Sequence, residues 1–157
     1  MTIEISTDQN RLDVTMIHSF LANESYWVPG ITRAGLEKCI KHSLCFGAYL
    51  DGRQIGFARA VTDFFRYAHL LDVFVLPEFR GRGLGTDVVR VLCRYGFAIR
   101  GLHRLQAETL ADNVAMIAAA GRAGFRREGT LRRSAWVNGD FADEVILGLL
   151  APEWEDS

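Results

Sequence analysis

Cysteine, proline and lysine are all scarce in this chain of 157 residues, which contains three cysteines, three prolines and two lysines. An odd number of cysteines without metal-like spacing argues against a disulfide framework or a zinc site, and is typical of reduced thiols in a cytoplasmic protein. No apolar run reaches transmembrane length, and the first residues lack the pattern of a secretory signal. Because the formal net charge is −1, there is no overall positive field for nucleic acid.

The chain is instead rich in apolar residues and arginine. Hydrophobic residues make up 49% of the sequence, which is enough for one compact core, so we expect residues 1–157 to form a single domain. Sixteen of the eighteen basic residues are arginines. The planar guanidinium group is suited to binding carboxylates and phosphates, and the sequence therefore favours local recognition of anions.

The most informative segment is residues 70–100. An apolar run from Leu70 to Leu76 is interrupted only by Asp72 and predicts a strand that is buried on both faces. After Pro77, which ends the strand, the segment 80–86 has three glycines on alternate positions, with two arginines between and before them. A single helix is predicted next, with apolar positions from Leu84 to Ile99. Glycines let a ligand approach the main chain, and a helix N-terminus offers unpaired N–H groups. The segment therefore predicts a site for an anion, most simply a phosphate.

Two common phosphate motifs fit this loop poorly. A P-loop needs Gly-Lys-Ser/Thr after the first glycines, and that sequence is missing. The dinucleotide fingerprint needs a glycine where the chain has Thr86, although Glu108 lies roughly where that motif expects an acidic residue. A dinucleotide-binding oxidoreductase is therefore an alternative that the loop alone leaves open.

The order of predicted elements restricts the fold further. A strand over residues 2–6, a helix over 11–23 and a second helix that Thr32 caps and that runs to about residue 43 precede strands over 44–50 and 54–62. After the central strand and helix come a strand over 102–109, a helix over 113–123 capped by Asp112, and a hairpin of 125–137 and 141–150. This order predicts an α/β (α+β mixed) fold, with a central, mostly antiparallel sheet of about seven strands and helices on both faces. The antiparallel first half argues against a Rossmann domain.

The glycine loop also resembles a known motif. Arg80, Gly83 and Gly85, after a strand that ends Val75-Leu76-Pro77-Glu78, are similar to the acetyl-CoA loop of the GCN5-related N-acetyltransferases, the GNAT superfamily. The predicted order of elements is that of the GNAT fold, so the resemblance covers nearly the whole chain. From residue 102 onwards the chain looks like the ribosomal-protein alanine/serine N-acetyltransferase branch. The earlier half is similar to a group of small bacterial members.

The resemblance implies acetyl-CoA as cosubstrate and assigns residues to it. Main-chain groups around Phe74 and Val75 would pair with the pantetheine arm. The pyrophosphate would bind to the loop that comprises Arg80, Gly81, Arg82, Gly83, Leu84, Gly85 and Thr86. Asn113 would reach the pantetheine or the thioester, with a simple helix-start residue as the alternative.

The implied reaction transfers an acetyl group from a thioester to a primary amine by direct attack in a ternary complex. The amine must be neutral to attack, so a base is needed. Asp72 is one candidate, because a carboxylate within an apolar strand tends to have a raised pKa. A structural carboxylate satisfied by the backbone or Arg59 explains it equally well. Glu108 is the second candidate, with a solvated strand residue as its alternative.

Two departures from the family's pattern concern the proton donor for the leaving thiolate. Ala120 stands where many members have a tyrosine, and Met116 stands where the ribosomal-protein branch often has a serine. Because a thiol has a pKa of about 8.5, loss of the acid would slow the reaction without abolishing it. The same departures favour the alternative of a non-catalytic acyl-CoA-binding sensor or regulatory module.

The acceptor is the least defined part of the prediction. Tyr26, Trp27 and Trp136 are candidates to line its site, although aromatic residues serve as often in a core. The acceptor would be a small-molecule amine or a peptide N-terminus. Homodimerisation through the edge strand of the last hairpin is a further expectation from the family.

Overall fold

The computed structural model describes residues 3–65, 68–80 and 83–155. Its main elements are β1 (Glu4–Ser6), α1 (Val14–Asn23), α2 (Arg33–Lys41), β2 (Leu44–Leu50), β3 (Arg53–Thr62), β4 (Ala68–Val75), α3 (Leu84–Arg94), β5 (Arg104–Leu110), α4 (Val114–Arg122), β6 (Arg126–Val137) and β7 (Asp140–Leu150). The chain divides into two compact units, Met1–Leu84 and Gly85–Ser157. Each unit has its own antiparallel sheet.

The first unit is a four-stranded sheet in the order β1-β2-β3-β4, together with α1 and α2. Its core joins Ile17 and Leu21 of α1 and Leu36 of α2 to Phe57 and Phe74 of the sheet. The apolar face of α1 is the one that its periodicity predicts. Thr32 caps α2, as predicted, by accepting a hydrogen bond from the Gly35 N–H.

The prediction that the central strand is buried on both faces is wrong. Most residues of β4 are half-buried or exposed, and Phe74 is the one that is buried. β4 is the last strand in the order of its sheet, and within residues 3–65, 68–80 and 83–155 its only strand partner is β3. A run of apolar residues indicates a strand but does not give its position in the sheet.

The second unit is a three-stranded sheet in the order β5-β7-β6, together with α3 and α4. Ala120 packs with Val145 and Leu147, and a neighbouring cluster contains Cys93 and Leu149. β6 is an edge strand whose register with β7 shifts twice. α3 ends at Arg94 and continues as a π-helical turn over Tyr95–Ile99, whereas the sequence predicted one continuous helix.

The start of α4 also differs from the prediction. The residue that caps the helix is Asn113, whose side chain accepts a hydrogen bond from the Met116 N–H. Asp112, which the sequence predicted as the cap, lies one position too early. Both residue types are good caps, so composition alone does not choose between neighbours.

The α/β (α+β mixed) fold with seven strands is confirmed, with one difference in its sheet. The strands form a group of four and a group of three rather than one continuous sheet. Among the described residues, no helix has both the length and the apolar character that a bilayer crossing requires. A single domain over residues 1–157 stays a prediction.

Candidate active site

The predicted phosphate loop begins where β4 ends. A 3-10 turn over Pro77–Phe79 leads to Arg80, and α3 begins at Leu84. Gly81 and Arg82 lie outside the described residues, so their phosphate contacts stay predictions. Gly83 has a φ of +80°, and a Cβ atom at Gly83 or Gly85 would meet no heavy atom of the described residues, apart from its chain neighbours, within 4 Å. The main chain at the start of α3 is therefore open to a ligand, and its N–H groups suit an anion such as pyrophosphate.

The side chains around this loop have defined roles. The Nε atom of Arg80 donates to the carbonyl oxygen of Val75 at 3.3 Å. Leu84 is buried and anchors the first turn of α3. The hydroxyl of Thr86 is also buried and accepts a hydrogen bond from Nε of Arg122 at 3.0 Å. The Thr86 N–H lies in the first turn of α3, where main-chain N–H groups have no carbonyl partner within the helix.

The predicted pantetheine contacts fall on the outermost strand of the first sheet. Phe74 and Val75 pair with β3 on one side, opposite Phe57 and Gly56. Among the described strands, β4 pairs with β3 alone, and alternate main-chain groups of such an edge strand face outwards, as pairing with an extended ligand requires. The pantetheine contact itself stays a prediction.

Asp72 is held by two side chains of the first unit. Its Oδ2 atom accepts a hydrogen bond from Nε of Arg59 at 2.5 Å, and its Oδ1 atom accepts one from the indole of Trp27 at 3.0 Å. Arg59 also donates to the hydroxyl of Ser43. The side chains of Asp72 and Arg59 are 7% and 14% exposed. Asp72 is thus one partner of a buried ion pair, which matches the structural alternative for this residue.

The backbone at Asp72 explains why this strand is irregular. Phe57 pairs with Phe74, but the next described pair is Arg59 with Leu71, so β4 has one more residue than β3 between these pairs. Asp72 takes up the extra length with a φ of +53°. This is a β-bulge, and a bulge changes the direction of the neighbouring side chains. The ion pair with Arg59 is part of what holds the bulge.

Glu108 is in a different environment. It is exposed on β5, and its Oε1 atom accepts a hydrogen bond from Nε2 of Gln106 at 2.8 Å. β5 is an edge strand of the second sheet. Gln106 and Glu108 are both exposed and lie two positions apart, on one face of β5. The carboxylate of Glu108 is therefore accessible to a substrate.

The side-chain amide of Asn113 makes two hydrogen bonds near the start of its own helix. Its Oδ1 atom accepts from the Met116 N–H at 3.2 Å, and its Nδ2 atom donates to the hydroxyl of Thr109 at 2.9 Å. These contacts match the alternative of a helix-start residue. A cofactor role for Asn113 stays a prediction.

Two of the three aromatic candidates, Tyr26 and Trp27, belong to the first unit, and Trp136 belongs to the second. Tyr26 and Trp27 form an edge-to-face pair with ring centroids 5.0 Å apart, and Trp27 also binds Asp72. In the second unit Trp136 is 63% exposed and packs edge-to-face on Phe141 at 4.8 Å. The structure thus brings Trp27 and Asp72 together. A role in acceptor binding stays a prediction for all three aromatic residues.

A known family matches the segment that contains β4, the glycine turn at Gly83 and α3. Residues 40–125 match the model described as the acetyltransferase (GNAT) family. The chain belongs to this family. The expectation drawn from the glycine loop and the order of elements is therefore confirmed.

Relatives of this GNAT chain are similar to it over part of their length. It is 33% identical over 85 residues to the probable N-acetyltransferase YjcK of Bacillus subtilis. This match covers 54% of this chain and 47% of YjcK. It is 26% identical over 88 residues to the ribosomal protein uS5 alanine N-acetyltransferase of Escherichia coli. This match covers 56% of this chain and 45% of that enzyme. The chain spans about half the length of these curated relatives.

A solved structure supports the GNAT fold over nearly the whole chain. The spermidine N-acetyltransferase of Vibrio cholerae, in complex with CoA and spermine, has a TM-score of 0.83 and covers 96% of both chains. Its sequence is 20% identical to this chain. At that identity the likeness concerns the fold.

The helix that usually carries a proton donor has none at the two expected positions of this GNAT chain. Ala120 is fully buried against Val145 and Leu147, and Met116 packs against the cluster that contains Val89. Both positions serve the apolar core. A donor at either position would have to replace a packed side chain.

Two of the three cysteines, Cys45 and Cys93, are unsuited to nucleophilic chemistry. Burial raises the pKa of the Cys45 and Cys93 thiols to about 11, so both stay protonated at neutral pH. Cys39 is half-exposed.

We expect Ellman's reagent to react quickly with one thiol of the native protein, that of Cys39, and with all three in urea. The reason is that Cys45 and Cys93 are buried and not ionised at neutral pH. Absorbance of the released thiolate measures the count. Cys39→Ser should remove the fast phase, and rapid reaction of all three native thiols would contradict this assignment.

Proposed function

We propose that this chain is an acetyl-CoA-dependent N-acetyltransferase that transfers the acetyl group to a primary amine by direct attack in a ternary complex. The observation that carries the proposal is the open main chain at Gly83 and Gly85, at the start of α3, in a chain of the GNAT family. Acetyl-CoA supplies an activated thioester to this reaction. Relatives that act on spermidine and on a ribosomal protein support a small-molecule amine or a peptide N-terminus as acceptor.

The two candidate carboxylates differ in what their contacts allow. A general base must reach the amine proton through a free oxygen. Each oxygen of Asp72 already accepts a hydrogen bond from Arg59 or Trp27, whereas Glu108 is exposed and has Gln106 beside it. We therefore assign Glu108 as the general base, and Asp72 as the residue that holds the bulge of β4.

The experiment that tests the function is release of CoA thiol from acetyl-CoA with pooled amines. The pool contains peptides with free N-termini, polyamines, amino acids and aminoglycosides. Binding of acetyl-CoA is measured in the same samples by calorimetry. Amine-dependent release supports the enzyme, and splitting the pool identifies the acceptor class.

The alternative function is an acyl-CoA-binding sensor or regulatory module. The buried, apolar Ala120 and Met116 favour it, because they leave the usual proton donors missing. A sensor would bind acetyl-CoA without amine-dependent release. Absence of any CoA binding would overturn both functions.

Gly83→Ala is expected to weaken binding of acetyl-CoA about tenfold. A side chain at a positive φ costs about 1–2 kcal/mol, and here the cost falls on the turn that presents the N–H groups. Gly139→Ala is the matched control, because Gly139 has a φ of +85° and equally open surroundings in the last hairpin. Calorimetry with acetyl-CoA measures both variants. Equal affinity in the two would contradict a phosphate site at Gly83.

A further inference from the structure

Three polar side chains of β5 form a hydrogen-bonded row that ends at the proposed general base. Arg104, Gln106 and Glu108 occupy alternate positions of the strand and therefore share one face of it. Leu105 and Ala107, which point the other way, pack against the apolar sides of α3 and α4. The row thus lies on the face of the second sheet that is turned away from these two helices.

The donors and acceptors of this row agree in one direction only. Nη2 of Arg104 donates to Oε1 of Gln106 at 3.0 Å, and Nε2 of Gln106 donates to Oε1 of Glu108 at 2.8 Å. A guanidinium group has no acceptor, and an ionised carboxylate has no donor. Both neighbours therefore require the same orientation of the Gln106 amide. A flipped amide would place its oxygen against the carboxylate of Glu108.

Arg104 is itself held by a carboxylate of β6. Its Nη1 atom donates to Oε1 of Glu128 at 2.9 Å, and its Nη2 atom donates to the second oxygen of the same carboxylate. This forked contact is among the strongest that arginine makes with a carboxylate. The hydrogen bond from Arg104 also lowers the pKa of the Glu128 carboxyl, so both groups are charged at neutral pH.

The contact between Arg104 and Glu128 crosses the middle strand of the sheet at a glycine. β7 lies between β5 and β6, and Gly148 of β7 is paired with Gln106. A Cβ atom at Gly148 would collide with the carboxylate of Glu128. A side chain at position 148 would therefore push Glu128 away from Arg104, and the glycine keeps the path between the two edge strands open.

We propose that Arg104, held by Glu128, is a positioning residue for Glu108 and acts through the Gln106 amide. With Arg104 in place, Gln106 presents its N–H to one oxygen of the Glu108 carboxylate, and the carboxylate has a second oxygen for the proton of the attacking amine. Without Arg104, the amide loses the partner that fixes its orientation. This inference rests on the proposed function, with Glu108 as its base.

The test is a double-mutant cycle between Arg104 and Glu108, with release of CoA thiol as the assay. Arg104→Gln is expected to lower kcat about 2- to 10-fold, the net contribution of one hydrogen bond, with KM for acetyl-CoA unchanged. In the Glu108→Gln background the same substitution should lower kcat no further, because no base is left to position. Arg132→Gln, which removes the same charge from an exposed position of β6, should leave kcat unchanged.

A second measurement needs no acceptor amine. The side-chain amide of Gln106 gives a pair of proton–nitrogen NMR signals, which Gln106→Ala identifies by their loss. Glu108→Gln should shift these signals in the protein that retains Arg104, because it changes the acceptor of the Gln106 N–H. The shift should be much smaller when Arg104→Gln is already present.

The outcomes separate this inference from the proposed function. An unchanged kcat in Arg104→Gln would overturn the positioning role, and so would an equal loss of kcat with and without the Glu108 carboxylate, which a purely structural ion pair would produce. The acetyltransferase function stands in both cases. If no pooled amine releases thiol, the proposed function fails, and the NMR signals decide alone: equal shifts in the two backgrounds would show that Arg104 does not position Glu108.

Discussion

Glu108→Gln is expected to lower kcat by about 100- to 10,000-fold, the usual contribution of a general base. The amide keeps the size of the side chain and cannot take the proton of the attacking amine. Because Glu108 is exposed on an edge strand, the free energy of unfolding should change by less than about 0.5 kcal/mol. Steady-state release of CoA thiol and urea unfolding measure the two effects.

The pH dependence of the loss of kcat in Glu108→Gln distinguishes a general base from a positioning residue. As the pH approaches the pKa of the acceptor amine, more of the amine is already neutral, so the deficit of Glu108→Gln should shrink. Gln106→Ala is the control, because it removes the hydrogen bond to Glu108 and keeps the carboxylate. A deficit that is the same at every pH would contradict the assignment of Glu108 as the base.

Asp72→Ala is expected to lower the free energy of unfolding by about 3–5 kcal/mol, the cost of leaving one partner of a buried ion pair alone. Arg59, which is 14% exposed, would keep its charge without Asp72. Trp27 would also lose its hydrogen-bond acceptor. Urea unfolding, followed by tryptophan fluorescence, measures the change.

Two further variants separate the charge from the backbone at Asp72. Asp72→Gly tolerates the φ of +53° and should recover about 1 kcal/mol of the loss. Replacing both partners, as in Arg59→Met/Asp72→Ala, should recover more, because no buried charge is left unpaired. A loss below about 1 kcal/mol in Asp72→Ala would instead indicate an ion pair of the weak surface kind.

Local patterns were sufficient to predict most elements of the fold. The bounds of β2, Leu44–Leu50, agree with the apolar run, and Thr32 caps α2 as predicted. These features depend on residues that are close in sequence. The family and the glycine turn were also predictable, because their signal lies in one short segment around Gly83.

Features that depend on strand register were not predictable. The left-handed backbone of Asp72 arises from the offset between β3 and β4, and its contact with Arg59 joins residues 13 positions apart. The sequence left the base and structural explanations of Asp72 equal because both fit a carboxylate in an apolar strand. The hydrogen bonds that both of its oxygens accept, from Trp27 and Arg59, favour the structural explanation.

The irregular edge of the last hairpin affects how this protein behaves in concentrated solution. An edge strand presents unpaired main-chain groups that can add a strand from another molecule. β6 contains Arg126, Arg127, Arg132 and Arg133, and its ladder is interrupted by two register shifts. Salt screens the repulsion between such arginine-rich edges, but it does not straighten the bulges. The bulges should therefore keep limiting strand addition, and fibril growth, at high ionic strength.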